Sequence, residues 1–303
     1  MRAFLALILL CVFAFGSTLK IATYNVENLF DGIDNGNEYP DFRIEKGKWS
    51  KQKASQKISR IREVLNALDA DIIALQEIEN KQILKELAKG TKYTYATFAI
   101  TKNAPIGLGV LSKIRPEDSE RFAVAGVKTR DILRLGFRLD NERFELFVVH
   151  FPAYKRNGFK AQKHAEITLK TALGERKNVI VLGDFNTPFG SGKTNLLYDI
   201  MATKKYTNLW NELAYKERYS FAAYGKKRAI DHILLSREFL TNGKLVYVCD
   251  SFNVFKPDFM MDGEFVKRYD KSSLYSDHLP LFFEISTDIK QRCGIIDKIL
   301  KFR

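Results

Sequence analysis

Several apolar segments of this 303-residue chain end in acidic, amide or imidazole side chains. In "VIVLGDFN" the apolar run closes at Gly183, and Asp184 and Asn186 then flank Phe185. Successive side chains of a strand point to opposite faces, so extended backbone would place Asp184 and Asn186 together. A simple turn is the alternative interpretation, because Asp and Asn commonly begin loops.

The same pattern recurs along the chain. Burying a carboxylate without a partner costs several kcal/mol, so repetition at many strand ends favours one shared polar site over unrelated turns. The polar residues are Asn25 at the end of "IATYN" and Glu27 two residues later, Glu77 in "ALQE", His150 in "FVVH", Asp231 in "AIDHILLS", and Asp277 and His278 in "YSDHLPL".

Hydrophobic periodicity predicts one α/β domain. Apolar residues at helical spacing predict helices over 53–68, 81–88 and 159–173, and many short apolar segments between and after them predict strands. So many strands with few helices predict two packed mixed β-sheets with helices on their outer faces. We expect the domain over residues 19–286, a long loop over 31–49, and a basic tail over 287–303 that forms a helix outside the main fold.

Residues 1–18 have the layout of a secretory signal peptide: a positive charge, an apolar run and then small residues. The apolar run is shorter than the roughly 20 residues that a membrane span needs. We expect cleavage between Gly16 and Thr18, and a secreted or periplasmic protein without a membrane anchor; a retained anchor or a buried first strand is the alternative. Cys11 follows Leu10 and lacks the small residue that precedes a lipidated cysteine.

The formal net charge is +13, and loss of Arg2 with the signal lowers it to +12. A chain this basic favours anionic partners, among them nucleic acid, acidic lipid and phosphorylated small molecules. Cys249 and Cys293 would remain, and outside the cytosol they can pair, although their spacing does not decide it.

The polar set itself indicates a chemistry. Carboxylate and amide oxygens without cysteine suit a hard cation, Mg²⁺ foremost, with Mn²⁺ and Ca²⁺ as alternatives. Two histidines add acid–base capacity near neutral pH. The chain has no glycine-rich phosphate loop and no GxSxG nucleophile motif. These features favour metal-assisted hydrolysis of a phosphate ester.

The ordered motifs "TYNVEN", "DIIALQE", "VVHFPA", "VLGDFN", "AIDHILLS" and "YSDHLPL" resemble those of the endonuclease/exonuclease/phosphatase superfamily, whose fold is deoxyribonuclease I-like. The resemblance runs from Leu19 to Ser286. It implies a four-layer αββα sandwich. Histidine at position 150 makes the chain more similar to the secreted nucleases and phosphodiesterases than to the abasic-site repair branch, which has tyrosine there.

The resemblance also implies roles at a metal. Glu77 would be the main metal ligand. Asn25 and Glu27 would stand beside the metal or hold its waters, and Asp277 would lie near it.

At the scissile phosphate, the resemblance implies that Asp184 orients or deprotonates the attacking water and that Asn186 contacts the phosphate. His278, polarised by Asp231, would act as general base or charge stabiliser. His150 would protonate the leaving oxygen or stabilise the transition state.

Substrate binding involves a further group of residues. The resemblance assigns Arg130 to the phosphate, with Arg134 as the competing choice. Tyr154, Lys155 and Arg156 follow "HFPA" and are suited to bind the backbone or stack on a base. Two histidines have other expected places: His232 in the protein interior and His164 on the surface.

We therefore predict a secreted, Mg²⁺-dependent and monomeric endonuclease that hydrolyses DNA, with RNA as a further substrate. One alternative is a phospholipid or inositol-phosphate hydrolase of the same superfamily, for which "FNVFKPDFMM" would supply an apolar membrane-touching loop. Another is a non-catalytic nucleic-acid-binding module.

Overall fold

A computed structural model describes residues 16–46, 48–153, 158–190, 205–269 and 272–294. The predicted signal lies almost wholly outside these residues, as do Tyr154, Lys155, Arg156 and the end of the predicted tail. The described part contains three α-helices: α1 (Lys51–Leu68), α2 (Lys81–Ala88) and α3 (Gly158–Leu173). None of its helices is both long enough and apolar enough to cross a membrane.

The strands form two large sheets and three small hairpins. In chain order they are β1 (Thr18–Leu29), β2 (Ile72–Ile78), β3 (Tyr95–Ala99), β4 (Gly107–Ser112), β5 (Asp118–Phe122), β6 (Ile132–Leu139), β7 (Glu142–His150), β8 (Val179–Asp184), β9 (Tyr206–Asn208), β10 (Phe221–Ala223), β11 (Lys226–Arg228), β12 (Asp231–Ser236), β13 (Val246–Tyr247), β14 (Asn253–Val254), β15 (Met261–Asp262), β16 (Phe265–Val266), β17 (Arg268–Tyr269), β18 (Ser272–Ser273) and β19 (Leu281–Ser286). Short 3₁₀ turns occupy Pro40–Phe42, Ile44–Lys46, Leu209–Glu212, Tyr215–Glu217, Arg237–Leu240 and Ile289–Gln291.

The first sheet has the order β13-β19-β1-β2-β4-β3, with β14 also paired to β19, and the second has the order β5-β6-β7-β8-β12-β9. Each sheet contains one parallel pair, β1 with β2 and β7 with β8, and its other pairs are antiparallel. A helix connects the two strands of each parallel pair, as such crossovers require. The predicted α/β class with two mixed sheets is confirmed.

The layers follow from where the apolar side chains lie. A large buried cluster fills the space between the sheets and extends under α1 and α2, whereas a second cluster joins α3 to the outer face of the second sheet. Helix α1 buries Ile61, Val64, Leu65 and Leu68 on one face. The four layers are therefore helices, sheet, sheet and helix.

The directions of the paired strands put the polar strand ends at one edge of the two sheets. The carboxyl ends of β1, β2, β7 and β8 point the same way within their sheets, and the antiparallel neighbours β12 and β19 begin at that edge. Asp231, the first residue of β12, pairs directly with Asp184, the last residue of β8. The sheets meet face to face with β1 and β2 against β8, so the two sets of polar ends lie next to each other.

One local expectation is wrong, and one strand was not predicted. Strand β1 does not turn into a loop after Asn25 but continues to Leu29 through an irregularity in its pairing with β2. Strand β5 was not predicted, because its sequence "DSERF" is polar and it lies on the sheet edge with four exposed residues. The predicted loop over 31–49 contains two 3₁₀ turns that pack Phe42 against Phe30 and Trp49.

The segment "FNVFKPDFMM" belongs to the core rather than to a membrane-touching loop. Phe252 and Met260 are buried, and Phe255, Phe259 and Met261 pack against the main cluster. Cys249 and Cys293 form a disulfide, and Val248 bridges Arg292 beside it. These contacts fasten the start of the tail to the sheet edge at β13, while the helix expected for the tail is not tested by residues 287–294.

Gly183 is required where β7 and β8 deliver their polar ends. Its φ is +134°, and a Cβ there would lie 2.1 Å from the carbonyl oxygen of Val149 on the neighbouring strand. Gly263 also has positive φ, at +58°, but a Cβ there would meet no atom within 4 Å.

We expect Gly183→Ala to lower the free energy of unfolding by about 2–4 kcal/mol, because backbone strain adds to a clash that only strand movement relieves. Gly263→Ala, which shares the strain without the clash, should cost about 1 kcal/mol. Urea unfolding of both variants measures the difference. Equal losses would mean that the close approach of Gly183 to Val149 has no energetic consequence.

Candidate active site

A cleft of about 780 Å³ opens at the edge where the two sheets deliver their polar strand ends. Its lining contains eight of the ten predicted site residues that the structure describes, and Asn25 and Asp231 are the two that do not line it. The lining residues are Glu27, Asn28, Glu77, Arg130, His150, Ala153, Asp184, Asn186, Pro188, Phe221, Tyr224, Arg228, Ile230, Asp277 and His278.

Two carboxylates from different sheets meet at Asn25. The Asn25 side-chain nitrogen donates to Glu77 Oε1 at 3.1 Å and to Asp184 Oδ2 at 3.0 Å. His150 completes this group, with Nε2 3.6 Å from the same two carboxylate oxygens. Ligand atoms of Glu77, His150 and Asp184 all lie within 4.8 Å of one another, so they could hold one metal ion.

A second group adjoins the first through Asp184. His278 Nδ1 donates to Asp231 Oδ2 at 2.6 Å, since a carboxylate can only accept. His278 Nε2 therefore remains on the cleft side, 3.8 Å from Asp277 Oδ1. Asp184, Asp231 and His278 also bring ligand atoms within 4.8 Å of one another.

Backbone turns, not simple strand alternation, aim these side chains. Glu77 lies at a register shift between Gln76 and Ile78 and has φ of +68°. Asn186 has φ of +52°, and its backbone N–H donates to Asp184 Oδ1 at 2.7 Å. Glu27 and Asn28 are also left-handed. Such conformations are costly for residues other than glycine and concentrate where a site demands them.

Both interpretations of "VIVLGDFN" are correct. Asp184 and Asn186 do lie together, with Asn186 Nδ2 3.2 Å from Asp184 Oδ2, while Phe185 is buried against α3. A turn and a functional site are both present, because the Asp184 carboxylate forms the turn with one oxygen and faces Asn25 with the other.

Burial and charge perturb the site's titration. Burial, reinforced by Asp231, raises the pKa of Asp184 to about 7, and burial raises the pKa of Glu27 to about 7 despite the nearby Lys57. Burial lowers the pKa of His150 well below its usual value, with Arg130 adding to the effect. Burial also opposes charge on His278, but the Asp231 carboxylate outweighs it and raises that pKa well above the usual value.

The donor set fits a divalent cation. Buried carboxylates crowd together here with a single amide between Glu77 and Asp184, and Asp231 Oδ1 is buried without a hydrogen-bond partner in the described part of the chain. Oxygen ligands of this kind are those that hard cations prefer. A positive ion would offset the burial and the Asp231 charge that together raise the pKa of Asp184.

The other sequence-predicted residues separate clearly. Arg130 lines the cleft, and its guanidinium donates to the Tyr39 hydroxyl at 3.3 Å. Arg134, the competing choice, is committed to Asp118 and Glu145 on the second sheet. Asp277 lines the cleft beside His278, whereas His164 lies half-buried on α3 away from it.

Two supporting residues were missed because nothing in the sequence marks their long-range contacts. Ser276 donates to the Asn25 carbonyl at 2.7 Å and accepts from the His278 N–H at 3.0 Å. Lys57, from α1, donates to the Glu27 carbonyl and lies 3.9 Å from its carboxylate. A lone Ser or Lys in a sequence carries no signal of such long-range contacts.

Gln162 is a further supporting residue. It is fully buried on α3, and its amide nitrogen donates to the Pro152 carbonyl at 2.7 Å and lies 3.3 Å from that of Phe185. Its oxygen accepts from the Thr187 hydroxyl at 3.2 Å. One side chain therefore joins the loop after His150 to the loop after Asp184, which only the packing of α3 makes possible.

His232 lies inside the protein, as expected. Its Nε2 donates to the Thr187 carbonyl at 2.7 Å, and its Nδ1 accepts from the Asn208 amide at 2.8 Å. Burial lowers the pKa of His232 to about 4, although the Thr187 carbonyl favours the charged form. The neutral ring therefore holds the loop that follows Asp184.

We expect this buried ring to make stability pH-dependent. Because its folded pKa lies below the ordinary value near 6.5, its contribution is complete above pH 6.5 and is lost as the pH falls toward 4. Between pH 7.5 and pH 5 the loss should be about 2 kcal/mol. Urea unfolding at both pH values, with His232→Gln as comparison, measures it; the same loss in both proteins would contradict the assignment.

Comparison with known proteins agrees with this geometry. A model of the Endonuclease/Exonuclease/phosphatase family matches residues 20–287. A search of curated proteins found no match. Among solved structures, an endonuclease/exonuclease/phosphatase family protein from Bacteroides thetaiotaomicron superimposes with a TM-score of 0.64 at 17% identity, covering 90% of this chain and 99% of that one.

Two further structures have the same fold. D. rerio TDP2 complexed with single strand DNA product gives a TM-score of 0.61 at 16% identity, over 89% of this chain and 99% of that one. A functionally unknown conserved protein from Enterococcus faecalis V583 gives 0.59 at 18% identity, over 88% and 99% respectively. At these identities the likeness concerns the fold alone.

Proposed function

This chain belongs to the endonuclease/exonuclease/phosphatase family, a family of metal-dependent phosphoesterases, and we propose that it is a secreted Mg²⁺-dependent nuclease that hydrolyses phosphodiester bonds of DNA, with RNA as a further substrate. One observation carries the proposal. His278, which donates to Asp231, lines the same cleft as Glu77 and Asp184. Asp184 lies close to both Glu77 and His278, so it joins the two groups. That arrangement suits an attacking water on one side of a phosphate and charge stabilisation on the other.

The residues divide the chemistry as follows. Glu77, with Asp184 near it, would hold Mg²⁺, and the ion would supply Lewis-acid polarisation of the phosphate. Asp184 orients the water and accepts its proton as the water oxygen bonds to phosphorus. His278 Nε2 donates to a phosphate oxygen, and Asp231 keeps the His278 ring in place. Asn186 holds the Asp184 carboxylate through its side-chain amide. His150 lies where it can donate to the leaving oxygen as its bond to phosphorus breaks.

Two arginines make the cleft suitable for an anionic substrate. Arg130 and Arg228 both line it, and neither has a carboxylate partner among the described residues. By contrast, ion pairs with carboxylates engage the guanidinium groups of Arg134, Arg138 and Arg143. Unpaired guanidinium groups beside the reacting phosphate can bind flanking phosphates of a strand.

The net charge of +13 and a relative crystallised with a single-strand DNA product support nucleic acid as the substrate. The lipid alternative has lost its main argument, because the apolar residues of "FNVFKPDFMM" are occupied in the core.

Secretion is part of the proposal. The Cys249–Cys293 disulfide is expected in an oxidising compartment, which agrees with the signal-like residues 1–18.

Removal of a single site group should abolish turnover. We expect Glu77→Gln and His278→Asn each to lower kcat at least 100-fold on plasmid DNA with Mg²⁺, because each deletes a charge or donor needed in the transition state. Nicking assays with and without excess EDTA measure this. His164→Asn, outside the cleft, is the control and should remain active. Robust cleavage in EDTA, or by either site variant, would reject the proposed chemistry.

The compartment can be tested separately. Expression of the full chain in a bacterial host should yield a periplasmic or secreted protein. Its intact mass should correspond to a chain whose first residue lies between 16 and 19, because the apolar run is too short to remain as a membrane span. Mass spectrometry with and without reduction also reports the disulfide. A cytoplasmic protein that retains residue 1 would contradict secretion.

A further inference from the structure

A short hairpin forms one wall of the cleft. Strands β10 and β11 pair in register, with Phe221 opposite Arg228, and only Tyr224 and Gly225 connect them. Both connecting residues have positive φ, +53° and +69°, which is typical of the tight turn that joins hairpin strands. Glycine adopts this conformation freely, but for tyrosine the same conformation is strained. The fold therefore holds an aromatic residue at a position that favours Gly, Asn or Asp.

The hairpin is fixed to the reacting groups. The Ala222 N–H donates to the Asp277 carbonyl at 3.1 Å, and the Leu279 N–H donates to the Ser220 carbonyl at 2.6 Å. The Phe221 ring contacts the His278 ring edge-on, with centroids 5.5 Å apart. Tyr224 thus has a fixed place relative to His278, one aromatic ring further along the wall.

The Tyr224 ring is oriented but not covered. The Arg268 guanidinium lies over it at 4.2 Å, and the Phe221 ring is within 24° of parallel to it at 6.5 Å. Yet Tyr224 is 54% exposed and lines the cleft. Base stacking requires an exposed flat ring in a fixed orientation, and both the hairpin backbone and the side-chain contacts fix the Tyr224 ring.

We propose that Tyr224 is a stacking site for an unpaired nucleobase next to the scissile phosphate, so that the enzyme acts on single-stranded or unpaired segments of nucleic acid. This inference rests on the proposed function and makes its substrate more specific. Arg228, directly across the hairpin from Phe221, lies in position for the backbone phosphate. The wall therefore presents an aromatic group for a base and a cationic group for a phosphate of the same polynucleotide strand.

Other phosphodiesters fit this wall less well. A choline headgroup is a cation, and the Arg268 guanidinium, 4.2 Å from the Tyr224 ring centroid, would repel it, whereas a neutral base carries no such charge. An inositol phosphate has no flat aromatic face to stack. Bases inside a duplex are stacked on each other and cannot reach the ring, so an unpaired base is the matching ligand.

The test compares two strands of equal charge. One is a 5′-labelled thymidine 20-mer, and the other is a 20-mer of tetrahydrofuran abasic units with the same phosphate backbone. We expect the wild-type protein with Mg²⁺ to prefer the thymidine strand in kcat/KM by about tenfold, because stacking on one base accounts for a factor of that size. Tyr224→Ala should lose the preference through a higher KM, and Tyr224→Trp should restore it.

Tyr215→Ala is the matched control, because Tyr215 is 89% exposed and lies outside the cleft lining. It should behave as the wild type. An unchanged preference in Tyr224→Ala would overturn the stacking site even if both strands are cut, and the nuclease proposal would then stand without it. If neither strand is cut, fluorescence anisotropy of the same labelled strands decides: equal binding of both strands by the wild type refutes the stacking site, and a thymidine preference lost in Tyr224→Ala supports it.

Discussion

The crowding of buried carboxylates at the meeting of two sheets is the constraint on which the rest of the structure depends. Glu77 and Asp184 come from different sheets, yet one Asn25 amide lies within 3.1 Å of an oxygen of each. Low-dielectric surroundings make such a group costly unless hydrogen bonds or a cation compensate it. Much of the nearby structure supplies that compensation: backbone N–H groups of Asn28 and Asn186 donate to the carboxylates, and Ser276 joins Asn25 to the His278 segment.

The topology explains why these costly groups meet. Each sheet has a single parallel pair joined by a helix, and the carboxyl ends of a parallel pair lie at one edge of the sheet. Antiparallel neighbours then contribute their first residues at the same edge, as Asp231 does beside Asp184. Packing the sheets face to face unites the two edges into one cleft. Sheet pairing therefore brings the acids, amide and imidazoles to one edge, and left-handed backbone at Glu77 and Asn186 then aims their side chains.

Rigidity around the cleft comes from outside it. Gln162 on α3 and His232 on β12 both bind the loop after Asp184, through Phe185 and Thr187. Left-handed conformations at Glu77 and Asn186 are tolerated because this surrounding network over-determines them. The helices thus do more than cover the sheets, because Gln162 on α3 joins the loop that follows His150 to the loop that follows Asp184.

The sequence by itself determined most of the elements and most of the polar residues that line the cleft. Apolar periodicity located α2 at its observed bounds, and polar residues at strand ends singled out Glu77, Asp184 and His278. Neighbouring residues are enough for both signals, because helix and strand periods are local properties. Only the tertiary structure decided the rest. It paired Cys249 with Cys293, committed Arg134 to ion pairs while leaving Arg130 in the cleft, and placed Tyr224 beside Phe221 and Arg268. These outcomes join residues far apart in the chain, and such proximity is set by sheet pairing and packing rather than by any local pattern.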